Sequence, residues 1–277
     1  MLRQRVLTAL LLAPLVVVLV VLAPTVVLAV IAAGAFLAGL WEWSALSGLE
    51  KTPARVAFLL LAALGFVLLW LLHARAESIW VVVVGLVWWV VAAQWLRHFA
   101  YAAAPTTENR ALKLAAGLLT LLPAWSGLLM LHAHEPYGQW WTLLALFIVW
   151  AADIGAYFSG RRYGKRKLAP QISPGKTWAG VYGALLAGTL VMLVGGWLLQ
   201  VRGIGLAAIV VLAVITVGVS ILGDLLESLL KRHAGVKDSG TLFPGHGGLL
   251  DRLDSVFAAL PVLAAGLWLL TLLQVVP

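Results

Sequence analysis

Apolar residues in this chain run on in blocks of about 20, separated by short clusters of charge, proline and glycine. A block of that length is what one helix needs to cross the hydrocarbon core of a bilayer. Cutting the chain at those clusters predicts about nine such helices, over roughly 6–23, 25–46, 55–73, 78–98, 111–131, 139–159, 177–199, 204–230 and 250–274. Trp41 with Trp43, and Trp140 with Trp141, stand at block edges, where an amphipathic ring favours the headgroup level. The first block follows Arg3 and Arg5 and has the form of a secretory leader, but the many apolar blocks after it make it the first span. The expected fold is all-α, a polytopic integral membrane protein, and no internal repeat stands out.

Composition strengthens this reading: 63% of the 277 residues are hydrophobic and 11% charged, against about 45–50% and about 25% in soluble domains. With no cysteine, a disulfide framework, a zinc–cysteine site, an iron–sulfur cluster and a thiol nucleophile are all excluded. The net charge of +8 would suit an anionic partner. In so apolar a chain it reads instead as cationic loops that set orientation and touch anionic lipid, so no nucleic-acid partner is expected.

With nine spans and the amino terminus inside, only Arg75 and Arg202 of the 19 Lys and Arg residues fall on the far side. A wrong span count would scramble that split, so the amino terminus is expected in the cytoplasm and the carboxyl terminus outside it. The chain then divides into about five amino-terminal spans over 1–135 and a carboxy-terminal region of about four spans over 136–277. The longest polar segments, 160–176 and 231–249, both belong to the second region and to the cytoplasmic side. Chemistry is therefore expected at the cytoplasmic face, in a bacterial cell the inner membrane.

Carboxylates within apolar spans usually line a polar site rather than face lipid, and Asp153, Asp224, Glu227, Asp251 and Asp254 are so placed. Asp224, Ser228 and Lys231 fall on one helical face at the end of the eighth span, and Asp251 with Asp254 on another at the start of the ninth. The polar, glycine-rich stretch 232–250 between them reads as a re-entrant or interfacial loop that returns both stripes to one depth. Gathered carboxylates without competing thiols suit a hard cation such as Mg²⁺, which takes one or two carboxylates plus substrate phosphates. Alternatively, Asp224, Glu227, Lys231, Asp251 and Arg252 form buried ion pairs that hold the bundle together without a metal.

The other polar segment carries Arg161, Arg162, Lys165, Arg166 and Lys167, followed by Ser173-Pro174-Gly175-Lys176-Thr177 at the start of the seventh span. The cations can neutralise a triphosphate, with Ser173 and free amides at a helix start as further anion donors; a purely topological positive cluster is the other reading. Gly175-Lys176-Thr177 resembles a P-loop tail, but Pro170 occupies the first glycine position and no preceding strand is expected, which excludes a Walker fold. His73, His98, His132 and His134 read as ordinary interfacial polarity. His246 differs, because it sits in Pro244-Gly245-His246-Gly247-Gly248, where glycines allow close backbone approach to a ligand.

From Ser228 to Asp254 the sequence SLLKRHAGVKDSGTLFPGHGGLLDRLD resembles the pattern S-x-x-K-R-x4-K-D-x-G-x2-F-P-x-H-G-G-x2-D-R-x-D of the phosphatidate cytidylyltransferases, or CDP-diacylglycerol synthases, at every fixed position. WAADIGAYFSGRRYGKRKLAPQISPGKTWAG, from Trp150 to Gly180, is similar to bacterial members, with Ile154 and Ala179 as departures that remove no charged position. The likeness by motif covers roughly residues 150–255.

The resemblance implies transfer of CMP from CTP to phosphatidate, with Mg²⁺, a monovalent cation such as K⁺ beside it, and a homodimer. It implies Asp224 and Asp251 as metal ligands, to which the mechanism adds Asp254 from the same stripe of the ninth span. Ser228, Lys231 and Arg252 join Asp224 and Asp251 as the expected catalytic set. Asp153, Lys167, Ser173, Lys176, Thr177, Arg232, Lys237 and Asp238 are expected to contact substrate, with His246, Gly247 and Gly248 closing over the nucleotide. Phosphatidate would enter sideways from the bilayer, which predicts an opening between spans. Rival readings are a lipid-alcohol kinase or related lipid cytidylyltransferase, and a cation-coupled transporter, for which the paired halves are missing.

Overall fold

The computed structural model describes residues 2–73, 75–242 and 247–276. Its helices are α1 (Leu2–Leu22), α2 (Thr25–Leu46), α3 (Thr52–Leu72), α4 (Ile79–Trp95), α5 (Thr107–His132), α6 (Gly138–Tyr163), α7 (Trp178–Leu198), α8 (Ile204–His233) and α9 (Leu250–Leu272). All of their ends lie within four residues of the predicted boundaries. Among the described residues, seven helices are long and apolar enough to cross a membrane, α1 and α4 contributing shorter apolar stretches. This is the architecture of a multi-pass membrane protein.

The outer surface says the same. Along α3, Leu60, Leu64, Val67, Leu68 and Leu71 are exposed, while Ala62 and Phe66 are buried on the other face. An apolar face of that extent is stable against lipid and not against water. Inside, α9 packs against α4, α5, α6 and α8. Phe257 of α9 meets Phe36 of α2 edge-on at 4.8 Å. Three buried indoles reach acceptors: Trp43 Nε1 donates to the Lys113 carbonyl at 2.7 Å, Trp88 Nε1 to Thr120 Oγ1 at 2.9 Å and Trp125 Nε1 to the Ala29 carbonyl at 3.0 Å. Each bond ties an amino-terminal helix to α5, because an unpartnered N–H in such surroundings is costly.

α6 and α7 approach most closely where both carry small residues. A Cβ on Gly155 would strike the Gly183 carbonyl, and one on Gly183 would strike Ser159 and the Gly155 carbonyl. Where no hydrophobic drive separates helix from lipid, backbone approach of this kind is what association rests on.

One element departs from the all-helical expectation. Strands β1 (Lys167–Ala169) and β2 (Ser173–Thr177) form an antiparallel hairpin, with Lys167 opposite Thr177 and Ala169 opposite Ser173. Both strands are too short for a period-2 pattern to be legible, and the segment expected as a helix start is extended instead. A strand therefore does precede Gly175-Lys176-Thr177, yet those residues lie on β2 itself rather than in a loop, and Pro170 still fills the glycine position. The arrangement remains incompatible with a P-loop.

The hairpin, the loop after α8 and the end of α2 meet at one end of the bundle. Arg232 Nε donates to the Ile172 carbonyl at 3.2 Å, His233 Nε2 lies 2.6 Å from the Phe99 carbonyl, and Glu42 reaches the Leu249 and Leu250 amides.

Candidate functional site

The predicted stripe on α8 is present. Ser228 Oγ donates to Asp224 Oδ1 at 3.3 Å, one helical turn apart. One turn further, Lys231 Nζ stands 2.7 Å from Glu227 Oε2 and 2.6 Å from Asp251 Oδ1 on α9. Lys231 is thus the bridge between the two polar stripes, and it is buried together with Glu227. The other oxygen of Asp251 is held by the loop: Oδ2 accepts from Ser239 N at 2.9 Å, Ser239 Oγ at 2.9 Å and Gly248 N at 2.8 Å. Those donors fix the carboxylate so that Oδ1 faces the lysine.

On the opposite flank, Lys176 of β2 reaches across to Asp224, its Nζ 2.5 Å from Oδ2. This pair lies in a cleft of about 410 Å³ between α6, α7, α8 and the hairpin, lined by Asp153, Arg161, Lys176, Thr177, Ser220 and Asp224 among others. Tyr157 and Gly160 also border it. Next to this rim, Ile154, Phe158 and Tyr182 are exposed on the outer faces of α6 and α7. A cleft that carries charged side chains on a largely apolar lining therefore borders an apolar outer face.

The acids also come together. One oxygen each of Asp224, Glu227 and Asp254 lie within 4.8 Å of one another. Glu227 is buried and its Oε1 has no hydrogen-bond partner, while Asp254 Oδ1 accepts from Ser255 N at 2.7 Å. Lys176 and Lys231 offset charge on Asp224 and Glu227, which leaves Asp254 and the orphaned Glu227 oxygen as donors open to a further cation. Oxygen-only donors with no imidazole or thiol among them fit Mg²⁺.

Other predicted residues are more dispersed. The Thr177 hydroxyl accepts from Gly180 N at 3.1 Å and caps α7, so its oxygen serves the helix start. Ser173 is half-buried on β2, and Lys167 is exposed on β1. Arg232 is exposed and ties α8 to the hairpin turn; Lys237, Asp238 and Arg252 are exposed around the loop. Gly247 adopts φ +82°, and a Cβ there would press on Asp251. Gly248 is buried against Glu42, so its part in the loop is to hold carboxylates as well as to bend. His246 lies outside the described residues.

Two acids complete the constellation. Glu227 was visible as an intramembrane carboxylate, though in sequence it belongs equally to an ion pair. Glu42, between Trp41 and Trp43 in α2, was not picked out. Glu42 is 8% exposed, and its carboxylate accepts from Ser239 Oγ at 2.8 Å, Leu249 N at 3.0 Å and Leu250 N at 2.9 Å. The signal was available, since an acid inside an apolar run is as costly in the second span as in the eighth. Its distance along the chain from the motif concealed it.

Comparison with known proteins adds an independent observation. A sequence model described as the cytidylyltransferase family matches residues 3–270. The phosphatidate cytidylyltransferase of Pseudomonas aeruginosa is 43% identical over 277 residues, covering 97% of each chain. That of Haemophilus influenzae is 38% identical over 282 residues, covering 94% of this chain and 96% of the relative. That of Staphylococcus epidermidis is 41% identical over 162 residues, 57% of this chain and 61% of its own.

Proposed function

The chain belongs to the cytidylyltransferase family, and from that premise we propose that it is a phosphatidate cytidylyltransferase, joining CTP and phosphatidate to give CDP-diacylglycerol and pyrophosphate. The observation that carries the reading within this molecule is the juxtaposition of clustered carboxylates and two lysines with a cleft that borders an apolar outer face. One substrate is water-soluble and triply phosphorylated; the other is a lipid. A site for both has to be polar, cationic in places and reachable from the bilayer.

The reaction is in-line displacement: a phosphate oxygen of phosphatidate forms a bond to the α-phosphorus of CTP, and the bond to the pyrophosphate oxygen breaks. The second pKa of a phosphomonoester is about 6, so the nucleophile is largely ionised at neutral pH and needs no strong base. The barrier lies in bringing two anions together, which makes positioning and charge neutralisation the protein's work. Lys176 and Lys231 supply positive charge beside Asp224 and Asp251, with Arg232, Lys237 and Arg252 around the loop. Ser173 and Ser228 orient phosphate oxygens, and Asp153 borders the cleft where the nucleotide or lipid headgroup enters. Asp224 and Asp254 would hold Mg²⁺ with Glu227 Oε1 as a further donor; Asp251 lies outside that trio, its oxygens on Lys231 and the loop, and its part as a ligand rests on the family resemblance alone. The metal, when bound, supplies neutralisation of the developing phosphate charge. A K⁺ beside it and a homodimeric assembly rest on the family resemblance alone.

The nine crossings, the cytoplasmic amino terminus and the inner-membrane location belong to the same reading and rest on the distribution of Lys and Arg. The test is incorporation of labelled CTP into chloroform-soluble product by purified protein in detergent, with phosphatidate and Mg²⁺ each supplied or withheld. Dependence on all three with release of pyrophosphate is expected. Folded protein that labels another lipid acceptor and not phosphatidate would overturn the substrate assignment.

A further inference from the structure

We propose that Glu42, on a helix far from the sequence motif, is a positioning residue for the reaction: it sets the Ser239 hydroxyl and, through it, the carboxylate of Asp251. The inference rests on the reading of Asp251 as part of the catalytic machinery. Glu42 Oε2 and Asp251 Oδ2 both lie within hydrogen-bond reach of Ser239 Oγ, at 2.8 and 2.9 Å. A hydroxyl has one proton to donate. The two carboxylates therefore share it, and the stronger its bond to Glu42, the less electron density is drawn from Asp251.

The rest of the Glu42 environment holds that acid in place. Leu249 N and Leu250 N, at the start of α9, donate to its two oxygens, where the positive end of the helix dipole favours an anion. The loop is shaped around it as well. A Cβ added to Gly240 or to Gly248 would run into the Glu42 carboxylate. Two glycines of the motif loop thus leave room for an acid contributed by α2, nearly 200 residues earlier in the chain. A simple helix cap would need the two amides; the Ser239 link couples the cap to Asp251.

Glu42→Gln, Ser239→Ala and the double variant decide the matter, each purified in detergent and assayed beside the wild type for kcat, KM for CTP, half-saturating Mg²⁺ and thermal unfolding. Partners that orient a metal-binding carboxylate typically contribute about 10- to 100-fold. Each single variant is therefore expected to lose kcat by that factor, to need more Mg²⁺ and to leave KM for CTP little changed. Because both act on Asp251 by one path, the double variant should be no worse than the poorer single. A lower unfolding temperature with unchanged kcat per folded molecule and unchanged Mg²⁺ requirement would mean that Glu42 only caps α9, and would overturn the proposal. So would losses that multiply in the double variant. If Glu42→Gln fails to fold, Ser239→Ala alone decides, and wild-type kinetics there refute the coupling. A wild type that makes no CDP-lipid overturns the enzymatic reading itself, whereas an active wild type with unaffected variants overturns this inference alone.

Discussion

Lys231→Met isolates what holds the two polar stripes together. Methionine keeps most of the stem but removes the ammonium, which serves Glu227 at 2.7 Å and Asp251 at 2.6 Å. Those side chains are 2% and 9% exposed, so water cannot replace the lost partner. Removing one member of a buried pair typically costs about 3–5 kcal/mol, because an uncompensated charge is left behind. Here Glu227 also faces Asp224 and Asp254. We expect the upper part of that range, about 4–5 kcal/mol, which lowers the folded-to-unfolded ratio by about three decades. Denaturant titration of the purified protein in mixed micelles reads the loss directly. Adding Glu227→Gln removes one uncompensated charge at nearly constant shape, so the double variant should regain roughly 1–3 kcal/mol. If Lys231→Met is as stable as the parent, or if the double variant is less stable than Lys231→Met, charge compensation is not what the lysine provides.

Asp251→Asn is expected to abolish turnover in protein that still inserts and binds detergent as the parent does, checked by the labelled-CTP assay beside size-exclusion profiles; near-normal activity would remove Asp251 from the site. Lys176→Ala is expected to raise KM for CTP by about tenfold or more while changing stability by less than about 1 kcal/mol, because a half-exposed pair such as Lys176–Asp224 contributes little to folding; steady-state kinetics and a thermal melt separate the two effects. Gly183→Ala places a methyl group against Ser159 and the Gly155 carbonyl. It should lower the melting temperature, at a cost of about 1–3 kcal/mol for an overpacked contact, and an unchanged melt would mean that α6 and α7 separate freely.

Much of this molecule was legible because lipid imposes a coarse code. A span must be apolar for about 20 residues, so the helix positions followed from the blocks. The Ser228-to-Asp254 segment was legible for another reason: its many fixed polar positions have few alternative uses. The hairpin was not legible, since three- and five-residue strands carry no period and Gly175-Lys176-Thr177 reads as well as a helix start. Thr177 shows the same limit at one residue: its type suits phosphate contact and helix capping alike, and only the 3.1 Å contact to Gly180 N distinguishes them. Glu42 was illegible in a different way, because nothing local joins α2 to a loop nearly 200 residues later.

That long-range contact bears on why the amino-terminal helices exist in an enzyme whose motif lies in the second half. Packing alone would not require an acid in α2, since burying a carboxylate among apolar helices is unfavourable unless its oxygens are fully satisfied. Among the described residues, Glu42 is satisfied by the loop and the start of α9. The same loop satisfies Asp251, and Asp251 in turn satisfies Lys231. Each charge at this end of the bundle is therefore conditional on the next, from α2 through the loop to α9 and α8. A loop of glycine and polar residues has little apolar surface with which to hold its own shape. Carboxylates from two helices, each accepting loop amides, give it that shape.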